Sequence, residues 1–338
     1  MQFTLNISTH QGDLDIIEHD WANAQQILRD EGFDGFELYP VGDCAGQNIP
    51  AGMMRGMHLR FYPILTPFWH GDRRRLLEIF GDEKTIAMFY GGLTREVLVA
   101  DYRAQLALAH QLGCAYVVFH LAQSEFDYIY DWQFPWTWRE TTDLCAELLQ
   151  EVFAETPFSG ELLLENLWWP GSFCARQAEE IAYALERIPY PRTAIMLDTG
   201  HVLNTNQRLA SEADGISFLL DTVRSLGEMR RAIHGVHLTR SLSAEYVTRT
   251  RALPPPAPVA GTFWDRFGQA IDHVRQIDEH DAFTDPAIAR LFEQIDPAYV
   301  TYEFTYASRE EWLEKIRRQR RAMAGVHPGV REAACLSR

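Results

Sequence analysis

The chain lacks most of what would mark a membrane, nucleic-acid or disulfide-built protein. None of its apolar runs approaches the ~20 residues needed to cross a bilayer, so no membrane partner is expected. The opening "MQFTLNISTH" has no basic region followed by an apolar stretch and does not read as a secretory signal. Basic residues are few: 31 Lys and Arg stand against 47 Asp and Glu, for a formal net charge of −16. That balance argues against nucleic acid as the main partner, because phosphate binding needs a basic surface. "GDRRRLLEIF" is the only compact basic run before the C-terminal helix. The five cysteines (Cys44, Cys114, Cys145, Cys174 and Cys335) are odd in number, scattered, and never spaced as CxxC. They argue against a disulfide framework or a thiolate zinc site and fit reduced thiols in the cytoplasm. No GxGxxG or P-loop turn supports an open doubly wound sheet.

What is present is a strand–helix alternation. Short β-like runs fall at 2–8, 35–39, 56–60, 115–121, 160–166, 193–199, 233–238 and 299–305. Several are almost continuously apolar, as expected of parallel strands buried on both faces. Amphipathic helical patterns lie between them. The clearest are 20–32, with Asp20 as cap and Gly32 as stop, and 93–113, which also ends in glycine. Others fall at 140–153, 175–187, 209–229, 262–277 and 308–324. Eight β/α units predict a single (β/α)8 barrel over residues 1–325, with 326–338 as a C-terminal tail. The surplus length falls in long loops after strands 3, 4 and 7, and the prolines 254–256 belong to the last of these.

The segment "LLLENLWWPG" sets Glu165 directly after three leucines. A carboxylate there must be paired, hydrogen-bonded, metal-bound or protonated. Glu165 has company: Asp198 in "IMLDTGH", His237 in "GVHL" and Glu303 in "YVTYEF" each stand near the carboxyl end of a later strand. In a barrel those ends converge on one mouth, where active sites of this architecture form. Three crowded carboxylates raise one another's pKa unless a cation offsets them. With one imidazole they suit a divalent ion (Mn²⁺, Mg²⁺, Co²⁺ or Zn²⁺) with positions left for substrate. His58, His120 and Glu37 lie late in their strands and fit the same mouth, as does His201, three positions after Asp198. Arg240 trails His237 by three and is a candidate for holding a substrate oxygen.

At these residues the chain resembles the xylose-isomerase-like TIM-barrel superfamily of sugar phosphate isomerases and epimerases. The resemblance rests on "LLLENLWWPG", "IMLDTGHVLN", "GVHLTRS" and "YVTYEF", supported by "FDGFELYP" and "YVVFHLAQS", and covers nearly the whole barrel. The ketose 3-epimerase branch implies that Glu165, Asp198, His237 and Glu303 hold one metal. It further implies that Glu165 and Glu303 move the substrate's proton and that His201 and Arg240 touch its oxygens. A metal chelating a carbonyl and its neighbouring hydroxyl stabilises an enediolate, from which isomerisation, epimerisation or loss of water can follow. A sugar, cyclitol or similar small molecule is the expected substrate.

A second branch, the multi-zinc apurinic-site endonucleases, offers the alternative of a multi-metal hydrolase. His58 and His120 fall where that branch has additional zinc ligands. Its D-x-H element is missing soon after the seventh-strand histidine. Asp278 and His280 in "DEHDAFTDPAI" come much later, and His280 is kept as a further candidate ligand. The loops at the expected mouth are also rich in tryptophan. Trp168 and Trp169, with Trp132, Trp136 and Trp138, are candidates for stacking on an apolar face of the substrate. A homo-oligomer is compatible with all of this.

Overall fold

All eight expected strands form, lie parallel, and close into a barrel in chain order. They are β1 (Gln2–Ser8), β2 (Gly35–Tyr39), β3 (Met54–His58), β4 (Tyr116–His120), β5 (Glu161–Glu165), β6 (Thr193–Asp198), β7 (Ile233–His237) and β8 (Tyr299–Tyr302). The structure, a computed structural model, describes residues 1–42, 48–253 and 261–327; the prolines 254–256 and most of the expected tail lie outside them. Two strands stop two or more residues earlier than the apolar pattern suggests. After His58 the Arg60 N–H turns to the Gln105 side chain at 2.8 Å. Beyond Tyr302, Phe304 N–H is taken by the Asn6 side chain at 3.0 Å and Thr305 N–H by the His280 carbonyl at 3.2 Å. Side-chain and loop acceptors thus replace the ladder at both places.

The strands carry apolar side chains on both faces, which divides the core in two. One part lies between strands and helices; the other fills the barrel with Tyr116, Val118, Leu163, Ala194 and Met196. The Tyr116 ring lies against β3 at Gly56, where an added Cβ would sit 2.1 Å from the ring, so only glycine fits beneath it.

The helices start and stop for local reasons. Asp20 accepts the Ala22 N–H at 2.8 Å to open helix Trp21–Glu31, and Gly32 closes it at φ 74°. Thr137 and Glu140 form a reciprocal capping box ahead of helix Trp138–Phe153. The seventh unit departs from expectation. The amphipathic segment 262–277 is helical (Phe263–Ile277) but does not join the outer ring. The element between β7 and β8 that packs beside helices Glu212–Ser225 and Arg309–Ala322 is instead the 3₁₀ segment Pro286–Glu293. Helix Phe263–Ile277 belongs to an excursion whose base is closed by paired hydrogen bonds between Arg240 and Asp281, at 2.8 and 3.0 Å.

That excursion lies over the carboxyl ends of the strands. Phe263 stacks on Phe80 at 4.3 Å and meets Phe126 at 5.5 Å, tying the helix to the loops after β3 and β4. His273 is held between Tyr246 Oη at 2.8 Å and the Ile129 carbonyl at 3.1 Å. At the far end of the barrel, His327 packs on Phe3 and Phe33 with ring centroids 4.1 and 4.8 Å apart. The first described residues of the expected tail are therefore seated on the barrel floor. None of the described helices is long and apolar enough to cross a membrane.

Candidate metal centre

The last residues of β5, β6 and β7 are Glu165, Asp198 and His237, and Glu303 follows β8 directly. Parallel strands in register bring these ends together: Asp198 pairs with His237, and His120, the last residue of β4, pairs with Glu165. Among the described residues, three groups of side chains able to hold an ion result: His58, His120 and Glu165; Glu165, Asp198, His237 and Glu303; and His201, Asp278 and His280.

Glu165 joins the first two groups. Its Oε2 meets His58 Nε2 at 2.9 Å and His120 Nε2 at 3.1 Å, while Oε1 meets His237 Nδ1 at 2.9 Å. The same His237 Nδ1 lies 3.0 Å from Glu303 Oε2 and 3.9 Å from Asp198 Oδ2. The third group adjoins the second. His201 Nδ1 lies 3.7 Å from Asp198 Oδ1, and its Nε2 is 3.1 Å from Asp278 Oδ2. His280 Nε2 meets that same Asp278 oxygen at 2.6 Å.

Behind the donors sits a layer that sets their orientation. His58 Nδ1 is 2.9 Å from the Leu59 carbonyl and His201 Nδ1 is 2.7 Å from the Asn166 carbonyl, which leaves Nε2 of each facing the cluster. His237 is oriented the other way, with Nε2 2.9 Å from Glu37 Oε1 and Nδ1 toward the cluster. The second Glu37 oxygen accepts from Tyr116 Oη at 2.8 Å and Thr301 Oγ1 at 3.1 Å. A carboxylate that fixes the tautomer of a ligating imidazole is the usual supporting arrangement at metal sites. Asn166 clamps β5 to β6, donating to the Asp198 carbonyl at 3.1 Å and accepting the Asp198 N–H at 2.8 Å.

The electrostatics identify where positive charge is short. Burial and the neighbouring Glu303 and Glu165 carboxylates push Asp198 up to about 7, despite His201 nearby. Its Oδ2 has no hydrogen-bond partner among the described residues, although the residue is fully buried. Burial opposes ionisation of Glu303 too, but the His237 and His280 imidazoles hold it at about 2. His280 is raised to about 10, the Asp278 carboxylate outweighing the effect of burial. An orphaned oxygen inside a shell of nitrogen and oxygen donors, with no thiolate, fits divalent ions of the Mn²⁺-to-Zn²⁺ type.

The other residues singled out in the sequence are distributed as follows. Glu37 is buried beneath His237. Arg240 is paired with Asp281 and lies 3.7 Å from Glu212, at the base of the excursion. Trp168 and Trp169 are buried in a cluster with Ile129, Trp132 and Leu167, and the Trp168 ring stands 5.0 Å from that of His201. Trp138 packs edge-on against Tyr183, with ring centroids 5.4 Å apart. Tyr116, Thr301 and Asn166 were not anticipated: an inward strand residue gives no polar pattern of its own, and only the register reveals what it touches. His280, a further candidate ligand in the sequence, lies beside His201 and Asp278 at the mouth, because the closed base at Arg240 and Asp281 returns the chain there immediately after them.

Closed parallel barrel and convergent donors together define a TIM barrel with a candidate divalent-metal centre at the carboxyl ends of its strands. The profile of the family described as "Xylose isomerase-like TIM barrel" matches residues 25–322, and the chain belongs to that family. Members of the family include sugar epimerases and endonuclease IV. Similar solved structures include endonuclease IV from Thermus thermophilus, at 17% identity over 96% of this chain and 99% of that one, TM-score 0.49. A D-tagatose 3-epimerase-like protein is 13% identical over 96% and 97% of the two chains, TM-score 0.46. The 3-keto-D-glucoside 4-epimerase of E. coli is 12% identical over 94% and 99%, TM-score 0.47. No curated protein matches the sequence. Likenesses this distant do not bear on substrate or reaction.

Proposed function

We propose that this chain is a multi-metal hydrolase that cleaves a phosphoester bond in a small substrate. The observation that carries this reading is Glu165. Its two oxygens are both engaged, one by His58 and His120 and the other by His237, so it bridges two donor groups while His201, Asp278 and His280 form a third. Divalent ions held by these residues would supply Lewis acidity to a phosphoryl centre and lower the pKa of water. Isomerase or epimerase chemistry, to which Glu165, Asp198, His237 and Glu303 are suited as a set, asks Glu165 to move a substrate proton. A carboxylate with both oxygens committed is poorly placed to do so.

The chain's own residues have distinct tasks in such a reaction. A cavity of about 460 Å³ opens at the cluster, lined in part by Tyr39, His58, His120, Arg275 and Glu303. Among the described residues Arg275 is the one guanidinium on that lining, and it can hold an anionic oxygen of the substrate. Glu303 faces the same cavity and, kept ionised by His237 and His280, would help to hold an ion there, while the attacking water gives its proton to solvent as the new O–P bond forms. The ester P–O bond breaks, and the departing oxygen takes up a proton. Helix Phe263–Ile277 restricts the mouth, and with the net charge of −16 this favours a small substrate over a polynucleotide.

The test is metal analysis of the purified protein together with hydrolysis of bis(p-nitrophenyl) phosphate. More than one divalent ion per chain, and turnover abolished in Glu165→Gln, are expected. A protein that holds a single ion, interconverts ketoses and leaves phosphoesters intact would overturn the proposal in favour of an epimerase.

A further inference from the structure

Beside the metal cavity lies a second one of about 240 Å³, and its lining is of a different kind. Phe61, Pro63 and Ile64 come from the loop after β3, Phe126 and Ile129 from the loop after β4, and Phe267 and Ala270 from helix Phe263–Ile277. Among the described residues no charged side chain lines it, and hydroxyls come only from Ser124 and Tyr39. The two cavities are neighbours: Tyr39 lines both, and the Phe61 ring packs edge-on against His120 at 4.7 Å. Trp169 forms part of the wall and is 5.0 Å from Trp168, which in turn touches His201.

Resting on the phosphoester reading of the metal centre, we propose that the substrate is an aryl phosphoester whose ring occupies this second cavity. A planar apolar ring gains from desolvation and from edge and face contacts with the surrounding aromatics. A sugar or nucleobase would leave its hydroxyl and amide groups without partners there, which is costly when they are buried. The polar end then falls at His58, His120 and Glu303, and the ring is held between the barrel loops and the excursion helix.

The experiment compares binding of phenylphosphonate and methylphosphonate to the metal-loaded protein by isothermal titration calorimetry. Neither ligand can be hydrolysed at its P–C bond, so binding is read apart from turnover. Burial of the ring predicts at least ~10-fold tighter binding of the phenyl compound, with a more negative heat-capacity change. In Ala270→Trp, which fills the cavity, the preference should collapse while methylphosphonate binds as before. In Phe267→Ala it should also shrink. Equal affinities in the parent protein would overturn the aryl subsite while leaving the phosphoester reading intact. Failure of both phosphonates to bind would overturn that reading itself.

Discussion

Glu37 supplies no candidate ligand, yet the structure gives it control over one. Its Oε1 meets His237 Nε2 at 2.9 Å, which keeps the proton on Nε2 and the Nδ1 lone pair toward the cluster. In Glu37→Gln the amide can still offer its oxygen to His237, provided its NH₂ turns to Tyr116 and Thr301. Both now donate to Glu37, at 2.8 and 3.1 Å, but both are hydroxyls and can rotate to accept. Packing should therefore survive, and the loss is that of a charge-assisted hydrogen bond behind a ligand. Removing such support costs about 10–100-fold in metal affinity, or about 1.4–2.8 kcal/mol. Glu37→Leu has no acceptor at all and strands His237, Tyr116 and Thr301 in a buried site, so it should lower the stability of the metal-free protein as well, by about 1–3 kcal/mol. Competition against a fluorescent chelator measures the first effect, and urea unfolding in EDTA the second. A Glu37→Gln isotherm that superimposes on the parent's would refute the orienting role.

Three further outcomes are expected. Asp278→Asn and His280→Ala should each lower the metal content by about one ion per chain, read by elemental analysis, with the circular dichroism spectrum unchanged, because both residues lie outside the strands. Divalent ions at 100 times their Kd should stabilise the chain by about 2.7 kcal/mol per occupied site, and EDTA should reverse the shift in Tm. The third concerns pH. Burial lowers His327 from the usual 6.5 to about 4, so the native chain keeps this imidazole neutral where the unfolded chain binds a proton. Its contribution is present above pH 6.5 and is lost as the pH falls through 4, to a total of about 3 kcal/mol. Urea unfolding in EDTA at pH 7 and pH 4.5 should show a smaller drop for His327→Phe than for the parent; equal drops would discount the residue.

Much of this architecture was legible in the residues because parallel buried strands announce themselves as apolar runs. The donors at their ends announce themselves as polar residues where none is cheap. Glu165 after Leu162–Leu164 is the clearest instance. What stayed hidden depends on contacts between distant segments. The helix at Phe263–Ile277 has the amphipathic pattern of an outer-ring helix, since an apolar stripe records that one face is covered but not by what. Spacing along the chain likewise assigns Asp278 no role at the mouth and leaves His280 only a further candidate ligand. Sequence separation ceases to measure distance once a loop is closed at its base, as Arg240 and Asp281 close this one. The role of Glu37 was unreadable for a related reason: its partners Tyr116, Thr301 and His237 come from three other strands.

That closed base has a consequence for how the protein could be remade. Residues 241–253 and 261–277 lie between the two hydrogen-bonded residues of that base, so they belong to a cassette anchored there and, through Phe263 and His273, on the loops after β3 and β4. The Arg240–Asp281 clasp lies below the third donor group, and the segment that follows helix Phe263–Ile277 carries Asp278 and His280. Exchanging the cassette for one of another length would reshape the approach to the cavity without altering the eight strands. The joint at Ile277 would have to be conserved, because the roof and the floor of the site are there one continuous piece of chain.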